Sequence, residues 1–295
     1  MNRSLRKLSF ILIPILVILS CLFACLQMLL DTPSLPPEAS AALAGLPAYS
    51  GSPFVTVNGN EPFFTGAEIT AKAFEEYAPL DELGRCGTTL ACIGREIMPT
   101  EERGAIGQVK PSGWKTAKYD FVDGSYLYNR CHLIGFQLTG ENANERNLVT
   151  GTRYLNVEGM LPFENMVADY VKESGNHVMY RVTPVFEEDE LVCRGVLMEA
   201  FSVEDDGDGI RFCVWCYNVQ PQIEINYADG SSRLIATENS DQGEAQRYVL
   251  NTNSKKIHLP HCENANAISE KNRREVTESL SSLQSRGYTV GSCCL

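Results

Sequence analysis

An uncharged apolar stretch near the N-terminus, from Leu8 to Leu30, limits what the first part of this chain can form. As a helix, its 23 residues would extend about 34 Å, enough to cross a bilayer core of about 30 Å. Three basic residues precede the stretch and an acidic residue follows it, a charge order that keeps the N-terminus in the cytoplasm. The sequence therefore predicts a membrane anchor in residues 1–30, with the rest of the chain outside the cytoplasm.

Two other fates of this segment stay open at the level of sequence. A cleaved signal peptide has a shorter apolar core, about 7–15 residues, and would leave a secreted protein. Lipidation at Cys21 would leave a lipid-anchored protein, but Leu19 is an unusual residue two places before a lipidated cysteine. The length of the apolar stretch favours the uncleaved anchor.

Composition divides the remaining chain into four parts. Residues 31–53 contain five prolines among Ala, Ser and Gly and are predicted to be a spacer. Residues 54–228 are predicted to form the main domain, whereas the polar residues 229–246 are predicted to be a linker. Residues 247–295 are predicted to form a short final unit.

The charge of the chain excludes one class of protein. The 25 Lys and Arg against 37 Asp and Glu give a net charge of −12, so a protein that grips nucleic acid with its whole surface is excluded. Between Arg103 and Asn156, however, seven basic residues stand against four acidic ones. This local excess of positive charge is compatible with a small site for a phosphate-bearing ligand.

Periodicity predicts a mixture of helices and strands. Apolar residues at helical spacing predict helices over Gly66–Leu80, Met160–Val171 and Ser269–Arg286. Alternating residues around a central Asp-Gly pair predict a hairpin over Tyr119–Tyr128. Four further strands are predicted over Val178–Phe186, Val192–Phe201, Ile210–Tyr217 and Ile223–Tyr227.

The 11 cysteines are odd in number and irregularly spaced, which does not match a small disulfide scaffold. Cys86 and Cys92 are close enough in sequence to close a short loop as a disulfide. Two buried thiols are the alternative, and the sequence favours neither.

The segment Tyr128–Gly135, with the sequence YNRCHLIG, concentrates chemically useful side chains after a predicted strand. A histidine such as His132 can act as a general base near neutral pH, and Arg130 can hold a phosphate with its planar guanidinium. Asn156 offers a carbonyl oxygen of the kind that Mg²⁺ prefers. Glu164 lies eight residues later, so one helix through both would place them on roughly the same side.

These residues resemble the motif of the DNA/RNA non-specific endonuclease family, whose members are His-Me finger (ββα-metal) nucleases. The family motif is Asp-Arg-Gly-His, followed by an Asn, a second Asn nine residues later, and a Glu eight residues after that. Both spacings are matched by His132, Asn147, Asn156 and Glu164. The resemblance runs from about Phe54 to Tyr227 and is strongest to membrane-bound bacterial DNA-entry nucleases, which degrade DNA during uptake.

The resemblance implies a role for each matched residue. His132 would activate the attacking water, Asn156 would bind Mg²⁺ (with Mn²⁺ as a substitute), and Glu164 would complete the metal site. Asn147 would orient the histidine or the scissile phosphate. The substrate would be DNA or RNA without sequence preference, and contacts to it are implied for Arg130, Arg153 and Asn129.

Two residues depart from the family motif: Asn129 stands where the family has Asp, and Cys131 where it has Gly. Asn129 keeps a hydrogen-bonding oxygen but loses the charge, and Cys131 needs a backbone that a non-glycine residue adopts. The resemblance implies a membrane-anchored, extracytoplasmic endonuclease that hydrolyses phosphodiester bonds. The alternative is a non-catalytic surface DNA receptor with a degenerate nuclease fold, which the two departures would favour.

The implied fold is α+β: a ββα-metal hairpin–helix core on a mixed or antiparallel sheet, with a small C-terminal module. The final unit resembles a small zinc-binding module, through the stretch KIHLPHC that begins at Lys256. The implied zinc ligands are His258, Cys262, Cys293 and Cys294. The module usually ends in Pro-Cys-x-x-Cys, whereas the last two cysteines here are adjacent, so a degenerate module and a vicinal disulfide are the alternatives.

Overall fold

The computed structural model describes residues 33–235, 246–260 and 262–290. The chain divides into two units, Met1–Leu234 and Ile235–Leu295, and each is described by itself. Across these described ranges, no helix is long and apolar enough to cross a membrane. The predicted anchor, Leu8–Leu30, lies outside the described residues.

Ten strands and three α-helices make up the described part of the first unit. The strands are β1 (Phe54–Thr56), β2 (Phe74–Tyr77), β3 (Thr89–Ile93), β4 (Tyr128–His132), β5 (Leu148–Thr152), β6 (Val178–Val185), β7 (Gly195–Ser202), β8 (Arg211–Tyr217), β9 (Ile223–Ile225) and β10 (Ser232–Leu234). The helices are α1 (Pro37–Leu43), α2 (Phe136–Thr139) and α3 (Leu161–Ser174).

Six of these strands form an antiparallel sheet in the order β1-β8-β7-β6-β3-β2. One face of the sheet packs against α3, which buries Val167 and Val171 in the main core. Because successive residues of a strand point to opposite faces, Leu197 and Trp215 belong to a second core on the other face. The sheet therefore separates two hydrophobic layers.

Helix α1 covers the second face, although residues 31–53 were expected to be a spacer. Ala39 of α1 is fully buried, and Leu35 and Leu43 pack against the same cluster. The Tyr217 hydroxyl donates a hydrogen bond of 2.7 Å to the main-chain oxygen of Pro47. The structure differs from the prediction because the leucines among the prolines pack against an apolar face of the sheet.

The hairpin of β4 and β5 stands apart from the large sheet and pairs Tyr128 with Thr152 at one end and His132 with Leu148 at the other. From β5 the chain passes through a π-helix at Leu155–Met160 directly into α3. This hairpin followed by a helix, against an antiparallel sheet, confirms the α+β fold and the helix predicted over Met160–Val171.

The four strands predicted between Val178 and Tyr227 are confirmed as β6 to β9. The helix predicted over Gly66–Leu80 is wrong, because its ordered part is the edge strand β2, which pairs Phe74 with Cys92 and Tyr77 with Thr89. Two aromatic residues three apart suit a helix face as well as a strand. Pairing with β3, a partner distant in sequence, decides between the two.

Two predicted connections also differ in detail. In the predicted hairpin Tyr119–Tyr128, a bridge joins Lys118 to Tyr126, and the next strand, β4, begins at Tyr128. The predicted linker 229–246 contains β10, which pairs with β9. A hydrophobic cluster including Ile223 and Ile225 holds this part of the chain to Leu127.

The second unit contains a four-stranded sheet in its described part. Its elements are β11 (Gln246–Asn251), β12 (Lys256–His258), α4 (Glu263–Asn266), β13 (Arg273–Glu278), α5 (Leu280–Ser285) and β14 (Thr289–Val290). The strand order is β13-β11-β12-β14. The helix predicted over Ser269–Arg286 is wrong for its first part, because β13 pairs along six residues of β11; only α5 is helical at the end.

Candidate active site

A cleft of about 670 Å³ opens beside the β4–β5 hairpin, the π-helix and the first turn of α3. Six predicted site residues line it, among them Arg130, His132, Asn156 and Glu164. Asn129 and Arg153 line it as well, whereas Asn147 does not. The fold thus brings together residues that lie up to 35 positions apart, from Asn129 to Glu164.

His132 ends β4 and is only 6% exposed. Its Nε2 lies 2.8 Å from the main-chain oxygen of Asn142, and its Nδ1 lies 3.2 Å from Nη2 of Arg103. A carbonyl oxygen only accepts and a guanidinium only donates, so Nε2 carries the proton and Nδ1 holds a lone pair. Burial lowers the pKa of His132 to about 4. The positive charge of Arg103 also lowers it, whereas the hydrogen bond to Asn142 raises it. The imidazole is therefore neutral at neutral pH.

Asn147 is fully buried and bonded to the main chain just after His132. Its Oδ1 accepts from the N–H of Ile134 at 2.8 Å, and its Nδ2 donates to the oxygen of Ile134 at 2.9 Å. The main-chain oxygen of Asn147 also accepts from the N–H of Leu133. The structure therefore places Asn147 behind the cleft, where it fixes the turn that follows His132.

Asn156 lies in the π-helix, a feature frequent at functional sites. Its Oδ1 accepts a hydrogen bond of 3.0 Å from the Cys131 thiol, which is fully buried. Cys131 lies within strand β4, and a Cβ atom at Gly151 would lie 2.7 Å from the Cβ of Cys131. The absence of a side chain at Gly151 thus makes room for the cysteine that replaces the motif glycine.

Glu164 lies in the first turn of α3 and is partly buried. Burial raises the pKa of its carboxyl to about 7, with Arg103 acting in the opposite direction. A Cβ atom at Gly135 would lie 2.7 Å from Oε2 of Glu164, so a larger residue there would push the carboxylate out of its present position. Among the described residues, none donates a hydrogen bond to this carboxylate, which leaves its oxygens available to a cation.

Asn156 and Glu164, the two predicted metal ligands, both line the cleft. Mg²⁺ commonly takes one or two protein ligands and keeps several waters. An amide oxygen and a carboxylate therefore fit this ion. Within the described ranges, no cluster of three or more His, Cys, Asp or Glu side chains forms a fuller metal cage.

The two predicted phosphate-binding arginines also have partners within the protein. Arg130 stacks over Trp114 at 4.0 Å and donates to the main-chain oxygen of Gly107 at 2.7 Å. Arg153 forms an ion pair of 2.7 Å with Asp123 and lies 3.5 Å from Oδ1 of Asn129. Asn129 thus keeps a polar contact through its remaining oxygen.

Arg103 is a charged cleft residue that sequence reasoning did not assign to the site. It contacts His132 and influences the pKa of both His132 and Glu164. The only signal in the sequence was its place in the locally basic segment. Its neighbour Gly104 lies against Asn142, where a Cβ atom would be 2.8 Å from Nδ2. The loop that carries Arg103 therefore also packs against Asn142, the other partner of His132.

The described cysteines and the C-terminal ligands are also placed. In the described part of the chain, seven cysteines are free and buried. Cys86 and Cys92 are separate thiols that donate to the main-chain oxygens of Leu148 and Thr70, so they do not close a disulfide loop. In the second unit, Nδ1 of His258 lies 3.8 Å from Sγ of Cys262. The other two predicted zinc ligands, Cys293 and Cys294, lie outside the described residues.

Comparisons with known proteins concern the family and the fold. The family model described as DNA/RNA non-specific endonuclease matches residues 67–204, which contain every predicted residue of the cleft. The crystal structure of NucA from Streptococcus agalactiae with magnesium bound is similar, with a TM-score of 0.57 and 26% identity over 66% of this chain and 93% of that chain.

The same NucA without metal gives a TM-score of 0.56 at the same identity and coverage. The structure of Sda1 nuclease with a bound zinc ion shares the fold, with a TM-score of 0.51 and 23% identity over 63% of this chain and 97% of that chain. No curated protein matches this chain.

Proposed function

Because residues 67–204 of this chain belong to the DNA/RNA non-specific endonuclease family, we propose that it is a Mg²⁺-dependent endonuclease without sequence preference, anchored in the membrane by Leu8–Leu30. The family and its structural neighbours make the chain a phosphodiester-hydrolysing enzyme that acts on DNA. Metal dependence, RNA as a second substrate, and the extracytoplasmic location belong to the proposal.

The observation that carries the proposed mechanism is the state of His132. Its Nδ1 lone pair faces the cleft side occupied by Arg103, and its Nε2–H is held by the oxygen of Asn142. A neutral, fixed imidazole is ready to take a proton from a water molecule that attacks a phosphate. The hydrogen bond from Nε2 keeps the ring oriented and stabilises the imidazolium that forms.

The proposed metal ligands are Asn156 and Glu164, whose oxygens line the same cleft. When bound, Mg²⁺ supplies positive charge that stabilises the phosphate and the departing 3′ oxygen. Magnesium is bound in the similar NucA structure, which supports this choice of ion. Departure of the 3′ oxygen leaves products with 5′-phosphate ends.

Three arginines provide positive charge for the substrate phosphates. Arg103 contacts His132, the proposed general base. Arg130 lies in β4 and Arg153 directly follows β5, and both line the cleft. Guanidinium groups hold phosphate oxygens through paired N–H donors. Contacts to phosphates are the same for every base, which supports cleavage without sequence preference.

The decisive experiment is plasmid nicking by the full chain purified in detergent, with Mg²⁺ and with EDTA. We expect nicking only with the metal, and a loss of about 10²–10⁴-fold in rate for His132→Ala, the range for removal of a general base. His177→Ala is the matched control, because this histidine lies outside the cleft. RNA is assayed in parallel.

Two outcomes would contradict the proposal in different ways. Full activity of His132→Ala would remove this residue from the mechanism. DNA binding by the folded wild-type chain without any nicking would favour a surface receptor, and Asn129 and Cys131 would then be the first residues to revert.

The proposed anchor has its own test. The full chain should fractionate with membranes and keep its N-terminus in mass spectrometry, whereas a chain that begins at Pro33 should not fractionate with membranes. A mature N-terminus within or after the apolar stretch would replace the anchor by a cleaved signal peptide, and a lipid on Cys21 would indicate lipid anchoring.

A structural Zn²⁺ in the second unit is the remaining part of the proposal. His258 and Cys262 lie close enough to share one metal ion, with Cys293 and Cys294 as the other predicted ligands. Elemental analysis of the purified chain should find one zinc per molecule, which is lost in Cys262→Ser. Absence of zinc from the wild-type chain would leave a degenerate module.

A further inference from the structure

Two apolar side chains are exposed on the walls of the cleft. Tyr126 is 48% exposed and Leu161 is 36% exposed, and both line the cleft. Trp114 lines it too, beneath the guanidinium of Arg130. Exposed apolar surface that borders a polar binding site is commonly covered by the ligand.

A positive charge lies over one face of the exposed Tyr126 ring. The Lys118 ammonium lies 4.5 Å from the ring centroid. Within the described residues, Lys118 forms no ion pair with a carboxylate, whereas Arg153 of the cleft pairs with Asp123. The face of the ring turned away from Lys118 can take a flat base, and the ammonium can contact a phosphate, so the pair matches the two parts of a nucleotide.

A tight turn holds Tyr126 in place. The N–H of Tyr119 donates to the oxygen of Ser125 at 2.9 Å, and the N–H of Ser125 donates to the oxygen of Val122 at 2.7 Å. Gly124 and Ser125 both adopt left-handed backbone conformations, with φ of 72° and 64°. The ring is therefore presented by a fixed turn, which limits the entropy lost when a ligand stacks on it.

We propose that Tyr126 is a stacking site for an unpaired nucleobase of the substrate and that Lys118 contacts the adjoining phosphate. This inference rests on the proposed function, because the stacked base would belong to the substrate strand that occupies the cleft. In a duplex, neighbouring base pairs cover the faces of each base, so stacking on a side chain requires an unpaired base. The site therefore selects single-stranded or locally opened nucleic acid.

The test is the affinity of the full chain for short fluorescent DNA strands in EDTA, measured by anisotropy so that no cleavage is needed. The probes are an oligothymidylate, the same strand with stable abasic residues, and a fully paired duplex. For Tyr126→Ala we expect a rise of about tenfold in Kd for the oligothymidylate, the effect of losing one stacked base. Its Kd for the abasic strand and the duplex should stay at the wild-type values.

Two controls separate stacking from folding and from general exposure. Tyr126→Phe keeps a ring and should bind the oligothymidylate like the wild type. Phe121→Ala removes an equally exposed aromatic residue, 48% exposed and three positions before Gly124, that does not line the cleft. It should leave all three Kd values unchanged.

The inference is overturned if Tyr126→Ala weakens intact and abasic strands equally, or if it leaves binding of the intact strand unchanged. Plasmid nicking with Mg²⁺ is measured on the same preparations. If the wild-type chain does not nick but Tyr126→Ala shows the expected Kd changes, the result counts against the proposed endonuclease alone. If the wild-type chain nicks and Tyr126→Ala leaves every Kd unchanged, the result counts against the stacking site alone.

Discussion

At the scale of single residues, Cys131 shows how a departure from a motif can take on a positional role. Its thiol donates to the amide oxygen of Asn156, the proposed metal ligand. A thiol that faces the amide favours the orientation in which the oxygen, and not the NH₂ group, lies toward it. The second lone pair of that oxygen stays available to a cation.

We therefore expect Cys131→Ala to bind Mg²⁺ about 2–10 times more weakly, the range for loss of one hydrogen bond. Cys131→Ser keeps a donor and should remain near the wild type. Calorimetric titration with Mg²⁺ in the absence of substrate measures this directly. Tighter binding by Cys131→Ala would instead mean that the thiol competes with the metal for the amide oxygen.

At the scale of secondary-structure elements, His177 connects two turns at one end of the large sheet. It precedes β6, and its ring contacts Glu204 after β7 at 2.6 Å and Glu96 after β3 at 3.3 Å. Partial burial alone would lower the pKa of His177, but the hydrogen bonds to Glu204 and Glu96 outweigh it and raise the pKa. The imidazolium is therefore favoured in the folded protein.

This shift has a defined sign for stability. The folded pKa lies above the unfolded value, so the contribution is complete below about pH 6.5 and is lost as the pH rises through the folded pKa. His177→Gln should lower Tm more at about pH 5.5 than at about pH 9. Scanning calorimetry of both proteins at the two pH values provides the check; an equal difference at both would indicate loss of packing alone.

At the scale of the whole molecule, the segment before β1 completes the fold of the first unit. Ala39 is fully buried against the face that carries Leu197 and Trp215. The cleft belongs to the side of the sheet that packs on α3. The segment and the cleft are thus tied to opposite layers of the same sheet.

A chain that begins at Gly51 should unfold more readily than one that begins at Pro33, by on the order of several kcal/mol, because it uncovers that apolar face. Ala39→Asp should act in the same direction, since it buries an unpaired charge. Ala41→Asp, at an exposed position of the same helix, is the control and should have little effect. Denaturant unfolding compares these variants, and equal stability of the two chain lengths would contradict a structural role for the segment.

Local patterns in the sequence predicted a large share of this architecture. Alternation over residues 178–227 predicted β6 to β9, and helical spacing predicted α3. The spacing of His132, Asn156 and Glu164 predicted a shared site, which the cleft brings together. The strand and helix predictions succeed because these periodicities depend on neighbouring residues in the chain.

The tertiary structure decided whatever depends on partners that are distant in sequence. Phe74 and Tyr77 belong to a strand because β3 pairs with them, and Arg273–Glu278 is a strand because β11 does. Arg103 reaches His132 across 29 positions, and Cys131 reaches Asn156 across 25. The sequence determined which side-chain chemistry was available. The packing of the folded chain determined which of these groups meet, because contacts between distant residues contribute free energy only in the folded state.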